Sequence, residues 1–335
     1  MKRNAKMVDR RQFLRLSAGA AALMAQGHVL GGESAMKQHT RRSQALGTEV
    51  NFTVFHPNAT VANQAIDAAL KKIEHVEQLM SLYRPNSQLS LLNRRGVLRD
   101  PHPDLVAVLT QSAELSRLTK GAFDVTVQPL WKLYADRARD GALPTQAEVE
   151  KVRRRVGWQH IRIEPDMIYL NRAGMQVTLN GLAQGLAADL AQQALKERGI
   201  EHALIDAGEL NAMGSPERKE SWHIAIQHHR RQSERVAKTG LQDRCLSTSG
   251  DYASRFSDDY RHHHLLDPRT GLSPAKLASV SVAAPSALEA DALSTAIFIS
   301  GPEQGKKLVE SMELVDALFV SKSGEVVTTE GFTML

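Results

Sequence analysis

The order of strand-like and helix-like segments constrains the fold of this chain most, because it limits which layers can pack together. The segment "TEVNFTVF" alternates, with Val50, Phe52 and Val54 on one face, as a half-buried strand does. Residues 61–82 keep the apolar spacing of a helix, and residues 287–299 form a second long helical segment. Strands and helices mix without strict alternation between them. The sequence therefore predicts an α+β fold with substantial antiparallel pairing.

Shorter segments complete this plan. A helix is predicted from Pro103 to about Leu118, another after a capping box of Thr145 and Glu148, and another over 186–198. The predicted strands are 161–163, 167–170, 175–179, 202–208, 222–227, 244–250 and 278–284, with a closing hairpin over 316–329.

The N-terminus indicates export. The segment "DRRQFLRLSAGAAALMAQG" joins Arg10 and Arg11 to an Ala-rich apolar run that is too short to cross a membrane. This pattern predicts a twin-arginine signal peptide over residues 1–35, a mature domain over 36–335 without a membrane span, and a periplasmic location. A basic N-terminus with a chance arginine pair is the alternative. The only cysteine, Cys245, cannot form an internal disulfide, so the exported chain depends on its core for stability.

The charge of the chain gives little support to nucleic-acid binding. The net charge is +5, and residues 1–35 carry six basic and two acidic residues, a net +4. The predicted mature chain is therefore close to neutral, and no nucleic-acid partner is expected.

Two glycines stand in "TLNGLAQG", where a predicted strand passes into a helix. Gly181 and Gly185 flank a short apolar pair at this point. Backbone that lies close to a ligand needs such small residues. An ordinary strand-to-helix turn explains them as well, and the segment alone leaves both explanations open.

Asp291 and Thr295 lie four residues apart in the predicted helix "EADALSTAIFIS". This spacing places a carboxylate and a hydroxyl side by side on one helical face, and both are oxygen donors of the kind that Mg²⁺ prefers. A solvated helix face is the alternative. The apolar neighbours of Asp291 indicate a carboxylate that needs a partner.

Three adjacent histidines precede a turn in "RHHHLLDPRTG". Neighbouring residues on a strand point to opposite faces, so these histidines are not expected to converge on one ion. One of them facing a site, with the others solvated, is the favoured interpretation.

Taken together, eight ordered motifs resemble the ApbE family of flavin transferases. They are "ALGTEVNFTVF", "MSLYRPNSQLSLLN", "TKGAFDVTVQPLW", "TLNGLAQGLAADLA", "ALIDAGELNAMG", "LSTSGDY", "HHHLLDPRTG" and "EADALSTA". The resemblance runs from about Ala45 to the C-terminus. The sequence of "TLNGLAQG", together with the twin-arginine leader, is most similar to the NosX branch, which is associated with nitrous oxide reductase and its membrane flavoprotein partner.

The resemblance implies an α+β fold that binds FAD in a cleft, with Mg²⁺ or a similar ion on the pyrophosphate. The family's metal-binding Asp and Thr match Asp291 and Thr295, and its metal-binding backbone carbonyl matches Gly181. His264 matches the histidine of the family's His-x-x-Asp-Pro motif. The flavin contacts implied by the resemblance are Leu46, Tyr83, Ala122, Phe123, Asp124 and Leu265.

This chain departs from the family at two positions that contact FAD. Many members have Asp where Thr178 stands, and Lys or Glu where Gln184 stands. Two charged contacts therefore become neutral here, which bears on FAD affinity and orientation more than on metal binding.

The implied reaction moves FMN from FAD onto a Ser or Thr hydroxyl of an acceptor flavoprotein and releases AMP. His264 or Asp291 takes the proton, and His264 is favoured because a metal-bound carboxylate is a weak base. Two alternatives are a flavin-binding protein without transferase activity and a periplasmic metal-delivery protein that uses the histidine cluster.

Overall fold

An eight-stranded antiparallel sheet forms the centre of the fold, in the order β14-β13-β12-β11-β8-β7-β3-β2. The structure is a computed structural model that describes residues 20–22, 35–216, 221–231 and 233–335. Two further antiparallel sheets of three strands each have the orders β1-β9-β10 and β4-β6-β5. The strands are β1 Ala20–Ala22, β2 Lys37–Ala45, β3 Thr48–His56, β4 Val97–Arg99, β5 Ile161–Glu164, β6 Met167–Leu170, β7 His202–Asp206, β8 Leu210–Met213, β9 Trp222–Gln227, β10 Arg235–Leu241, β11 Cys245–Gly250, β12 Leu277–Ala284, β13 Asp316–Ser321 and β14 Val326–Thr328.

The helices begin and end at residues that the sequence marks. Asn58 caps the first helix through its side chain, and Thr145 and Glu148 form the predicted capping box. The helices of the described residues are α1 Ala59–Met80, α2 Gln88–Arg95, α3 Pro103–Leu118, α4 Gln128–Arg139, α5 Gln146–Arg153, α6 Ala183–Lys196, α7 Ala287–Ser300 and α8 Pro302–Glu310. Short 3₁₀ turns lie at Val125–Val127 and Trp158–His160.

Both faces of the central sheet are covered, which explains why β12 is buried along its whole length. On one face, alternate residues such as Val280 and Val282 join the core formed with α1, α6 and α7. On the other face, Leu318 and Val320 of β13 pack with Trp222 of β9. The molecule therefore has a helical layer, a central sheet and a second small sheet, and α7 lies against β11 and β12.

The α+β prediction is confirmed, and so are most of the predicted elements. Val50, Phe52 and Val54 are buried on one face of β3 as expected. One predicted strand, 175–179, is wrong. Residues 175, 177 and 179 are buried in alternation there, but the backbone pairs with no neighbouring strand.

Side-chain and turn contacts replace the strand pairing in this segment. Asn93 accepts from the N–H of Val177 at 2.6 Å and donates to its carbonyl at 2.7 Å, and the N–H of Thr178 donates to the Val125 carbonyl at 2.8 Å. The backbone is thus satisfied without a ladder. A 3₁₀ turn and α4 follow Asp124.

The predicted signal peptide, 1–35, lies almost entirely outside the described residues. Of that region the structure describes residue 35 and Ala20–Ala22, which form β1 and pair with β9. Within the described ranges, no helix has both the length and the apolar composition that a membrane crossing requires.

Candidate active site

A large cleft opens beside the N-terminal turn of α6 and the inner face of α7. It encloses about 1560 Å³ including its open mouth. The sequence-predicted residues that line it are Leu46, Tyr83, Phe123, Asp124, Thr178, Gly181, Gln184, His264, Leu265, Asp291 and Thr295. Ala122 is fully buried and is not among the lining residues.

Gly181 lies directly against Thr295. A Cβ added to Gly181 would lie 3.1 Å from Thr295 Oγ1, which is tighter than an ordinary contact. Asp291 lies one turn before Thr295 on α7 and is buried. A carboxylate, a hydroxyl and the backbone of Gly181 therefore meet at one place in the cleft wall, and all of them offer oxygen atoms.

Gly185 has a different role from Gly181. A Cβ there would lie 2.6 Å from the Ala287 carbonyl carbon and 2.6 Å from Leu288 Cα, so only glycine allows α6 and α7 to approach so closely. The Gly185 N–H donates to Asp291 Oδ2 at 3.2 Å. This close approach therefore also orients the Asp291 carboxylate.

Asp189 caps the N-terminus of α7 from the neighbouring helix α6. Its two carboxylate oxygens accept from the N–H groups of Ala287 at 2.8 Å and Leu288 at 2.9 Å, and Asn211 donates to it at 3.2 Å. Negative charge at a helix N-terminus is stabilising. Asp189 thus fixes the position of the helix that carries Asp291 and Thr295.

The cleft wall contains more buried carboxylate than the sequence analysis identified. Glu209 is 4% exposed and lines the cleft, and burial together with the charge of Asp291 raises its pKa well above the usual range. Burial also raises the pKa of Asp291 to about 7, opposed by the Gly185 hydrogen bond. Buried carboxylates that crowd one wall favour a bound cation.

Glu209 was missed by the sequence analysis, although it stands in one of the quoted motifs. Among the described residues, its Oε2 atom has no hydrogen-bond partner. An acidic residue within the small and apolar segment "IDAGELNAM" was the available signal. A buried oxygen without a partner fits a group that meets a ligand.

A chain of hydroxyl groups links β11 to α7 beside Thr295. Ser249 Oγ lies 3.2 Å from Thr295 Oγ1 and 2.8 Å from Ser294 Oγ, and Ser247 Oγ lies 3.1 Å from Ser294 Oγ. These contacts hold the Thr295 hydroxyl in place. Ser247 and Ser249 come from the "LSTSGDY" motif, whose hydroxyls had no assigned role.

Leu46 occupies the left-handed backbone region with φ 52°, which is uncommon for a residue other than glycine. It lies in the turn between β2 and β3, and its N–H donates to Glu77 Oε2 at 3.3 Å. Glu77 is also paired with Arg84 at 2.9 Å. Such a conformation persists only where the surroundings hold it, which marks this turn as a fixed part of the cleft rim. Tyr83 lies nearby and is 38% exposed.

Phe123 and Asp124 follow α3 and differ in what they offer. Phe123 presents an aromatic surface to the cleft. The Asp124 carboxylate accepts from the N–H and hydroxyl of Thr126 at 2.8 and 2.6 Å and from the N–H of Trp158 at 3.0 Å. Asp124 thus anchors two loops at the rim. Burial raises its pKa despite these bonds.

Thr178 and Gln184 lie beside the Gly181 turn. The Thr178 hydroxyl accepts from the Asn180 N–H at 3.3 Å. The Gln184 side chain packs against Gly208, whose φ of +97° and missing Cβ leave room for it. Both therefore line the cleft as neutral groups.

His264 is the only one of the three adjacent histidines that lines the cleft. Its Nδ1 donates to the Ser254 carbonyl at 3.1 Å, which leaves the lone pair on Nε2. Burial lowers its pKa to about 4, so the ring is neutral near pH 7. His263 packs edge-on against Phe298, and His262 lies over Tyr134. The three rings thus point in different directions, as expected, but His263 is fully buried and the prediction that it is solvated is wrong.

Comparisons with known proteins agree on one family. A family model described as the ApbE family matches residues 46–319. The chain is 28% identical over 316 residues to the FAD:protein FMN transferase of Vibrio cholerae, covering 91% of this chain and 92% of that protein. It is 30% identical over 262 residues to the Escherichia coli protein of the same name, covering 74% of each. A solved structure titled flavin transferase ApbE from Vibrio cholerae superposes with a TM-score of 0.78 at 27% identity, covering 89% of this chain and 99% of that one.

Proposed function

The chain belongs to the ApbE family and is an FAD:protein FMN transferase, and we propose how its cleft performs the transfer. The observation that carries this proposal is that Gly181, Asp291 and Thr295 line the wall of one large cleft, with Gly181 directly against Thr295. FAD is the donor substrate. The acceptor is a Ser or Thr hydroxyl of a flavoprotein.

In the proposed reaction, the acceptor oxygen attacks the FMN phosphorus of FAD. A new P–O bond forms to the acceptor, the P–O bond to the AMP phosphate breaks, and AMP leaves. The hydroxyl proton passes to a base. We assign this role to His264, because it lines the cleft and the Ser254 carbonyl holds its Nδ1 in place.

The donor set of the cleft wall fits Mg²⁺. Asp291, Thr295 and the Gly181 carbonyl would hold the ion, and Oε2 of Glu209, which has no hydrogen-bond partner among the described residues, is a further oxygen in the same cleft lining. When bound, the ion would neutralise pyrophosphate charge and stabilise the leaving group. The protein positions these oxygens through the Asp189 cap, the Gly185 N–H and the Ser249 hydroxyl.

Aromatic residues along the cleft support flavin binding. Tyr83, Phe123 and Trp131 line it and offer flat surfaces for a ring system. Neutral Thr178 and Gln184 provide hydrogen-bonding groups in place of charges. We expect this exchange to affect FAD affinity and orientation.

The acceptor and the cell compartment complete the proposal. The similarity to the NosX branch supports the membrane flavoprotein partner of nitrous oxide reductase as acceptor. The twin-arginine segment at Arg10 and Arg11 supports periplasmic action after export in the folded state.

Mass spectrometry of that acceptor, co-expressed with the full chain or incubated with it, FAD and Mg²⁺, tests the proposal. The wild-type chain should add one covalent FMN. Asp291→Ala should abolish transfer and Thr295→Ala should weaken it strongly, because each removes a proposed oxygen ligand of Mg²⁺ from the cleft wall.

Glu289→Ala provides the matched control, since Glu289 lies on the same helix outside the cleft lining and should leave turnover unchanged. Mg²⁺-dependent turnover that survives Asp291→Ala would show that the site is misplaced. FAD binding without transfer by the wild-type chain would instead favour a flavin-binding protein without transferase activity.

A further inference from the structure

A second group of potential metal ligands lies on α1 and α3. His75 belongs to α1, His102 is the N-cap of α3, and Asp104 lies in the first turn of α3. One ligand atom from each falls within 4.8 Å of the other two. Within the described part of the chain, this is the one group of three or more His, Cys, Asp or Glu side chains close enough to share an ion.

The contacts of this group already arrange the side chains around one point. Asp104 Oδ2 lies 2.8 Å from His75 Nε2 and 3.5 Å from His102 Nδ1. The two imidazole rings meet edge to face with centroids 4.7 Å apart. Each side chain is about one third exposed, so an ion can enter from solvent.

Rigid elements hold the group in place. The Gln88 side chain accepts from the His102 N–H at 2.8 Å, and the Asp104 N–H donates to His102 Nδ1 at 3.1 Å. His75 lies within the long helix α1, away from its ends. Sites built on helices keep their ligands in position better than sites on mobile loops.

The donor set differs from that of the flavin cleft. Two imidazoles and one carboxylate suit borderline transition ions such as Zn²⁺, whereas the ligands proposed for Mg²⁺ in the cleft, Asp291, Thr295 and the Gly181 carbonyl, are oxygen atoms only. Ligand bonds of about 2.0–2.1 Å in tetrahedral geometry put ligand atoms about 3.3 Å apart. The His75–Asp104 contact therefore opens by about half an ångström when an ion enters. An ion bound at His102 Nδ1 replaces the hydrogen bond from the Asp104 N–H, because that nitrogen has a single lone pair.

We propose that His75, His102 and Asp104 form a transition-metal site that binds one Zn²⁺-class ion, separate from the flavin cleft. Three protein ligands leave a fourth position for water or another ligand. The ion joins α1 to α3. A hydrogen-bonded helix cap that binds no metal is the competing explanation, and it predicts no ion binding at these residues.

Equilibrium Zn²⁺ binding to the full chain in excess Mg²⁺ tests the site. A chromophoric chelator that competes with the protein for Zn²⁺ reports the affinity. Elemental analysis of the protein after dialysis reports how many Zn²⁺ ions each chain binds. We expect about one Zn²⁺ per chain, as for a three-ligand site. The same binding should persist in Asp291→Ala, because that variant removes the oxygen site and not this one. Co²⁺ should give the visible absorption of a four-coordinate ion.

Two conservative variants separate a metal site from a helix cap. His75→Gln retains a polar partner for Asp104, and His102→Asn retains an N-cap acceptor, but both lose an imidazole. Each should weaken Zn²⁺ binding at least about a hundredfold, more than the loss of an outer-shell partner costs. The matched control replaces the stacked pair His228 and His229 with alanine and should bind Zn²⁺ as the wild type does.

Zn²⁺ binding that is unchanged in His75→Gln and His102→Asn would overturn the assignment. Less than about a tenth of an ion per wild-type chain would overturn it as well, since a site with three ligands binds stoichiometrically. Loss of Zn²⁺ binding in Asp291→Ala, with retention in the histidine variants, would place the ion in the flavin cleft instead.

Discussion

Gly181 and Gly185 stand four residues apart, and the structure predicts opposite consequences for adding one methyl group at each. At Gly185 the new Cβ would lie 2.6 Å from backbone atoms of Ala287 and Leu288, and it would also strike the Ala287 carbonyl oxygen. Backbone cannot move aside as a side chain can, so α7 must shift outward. At Gly181 the nearest atom is the Thr295 hydroxyl at 3.1 Å, which needs to move by only a few tenths of an ångström.

The magnitudes follow from these contacts. Overpacking costs about 1–3 kcal/mol, and the backbone clash puts Gly185→Ala at the upper end. Replacing glycine by alanine in a helix recovers up to about 1 kcal/mol. We therefore expect Gly185→Ala to lower the free energy of unfolding by about 2 kcal/mol and the melting temperature by about 4 °C. Gly181 has no positive φ, so Gly181→Ala should change the melting temperature by less than about 1 °C.

The assay combines calorimetric melts with Mg²⁺ and FAD titrations of FMN transfer. Gly185→Ala should raise the Mg²⁺ concentration for half-maximal transfer, because the shift lengthens the Gly185–Asp291 hydrogen bond. Gly181→Leu, in contrast, should keep most of its stability but lose FAD affinity, because its side chain fills the cleft. Equal losses of melting temperature in Gly181→Ala and Gly185→Ala, with FAD binding intact, would refute the reasoning. They would favour the alternative that Gly181 belongs to an ordinary strand-to-helix turn.

Three further predictions test the Asp189 cap of α7, the pH dependence of stability and the N-terminal export signal. Asp189→Ala should lower stability by about 1–2 kcal/mol through the loss of the α7 cap and should weaken Mg²⁺-dependent transfer; unchanged melts would remove its positioning role. Burial lowers the pKa of His263 to about 3, so the unfolded chain binds more protons between about pH 3 and 6.5 and stability rises with pH there. When the pH falls from 7 to 5, the free energy of unfolding measured with urea should therefore decrease by about 2 kcal/mol more in the wild type than in His263→Asn. Equal decreases in the two proteins would contradict this. Replacing Arg10 and Arg11 with lysines should retain the folded protein in the cytoplasm, as cell fractionation would show; a normal periplasmic yield would exclude twin-arginine export.

Local sequence patterns predicted the parts of the site that depend on local geometry. Asp291 and Thr295 share a helical face because four residues make about one turn, and the buried alternation of Val50, Phe52 and Val54 follows from the strand period. The contact between Gly181 and Thr295 was available only through the family resemblance. No spacing rule links residues so far apart in the chain.

The missed features depend on distant partners. Asp189 caps a helix that begins almost a hundred positions later, and the charge of Asp291 raises the pKa of Glu209, which is far from it in the chain. The segment 175–179 shows the reverse error, since its alternating burial is correct but Asn93 takes the place of a neighbouring strand. The edge strand β2 was missed because its sequence, "KQHTRRSQA", is polar on both faces.

The order of the central sheet has a consequence for how the molecule is made. Asn51 of β3 pairs with Asp206 of β7, and α7 enters near the end of the chain. During synthesis the apolar face of β3 must wait for a partner that emerges much later, and such long-range pairing folds slowly. The contact between Gly181 and Thr295 forms only after that closure. A nascent or truncated chain therefore lacks the flavin-binding cleft. Binding of FAD in the cleft then indicates that the whole chain has folded.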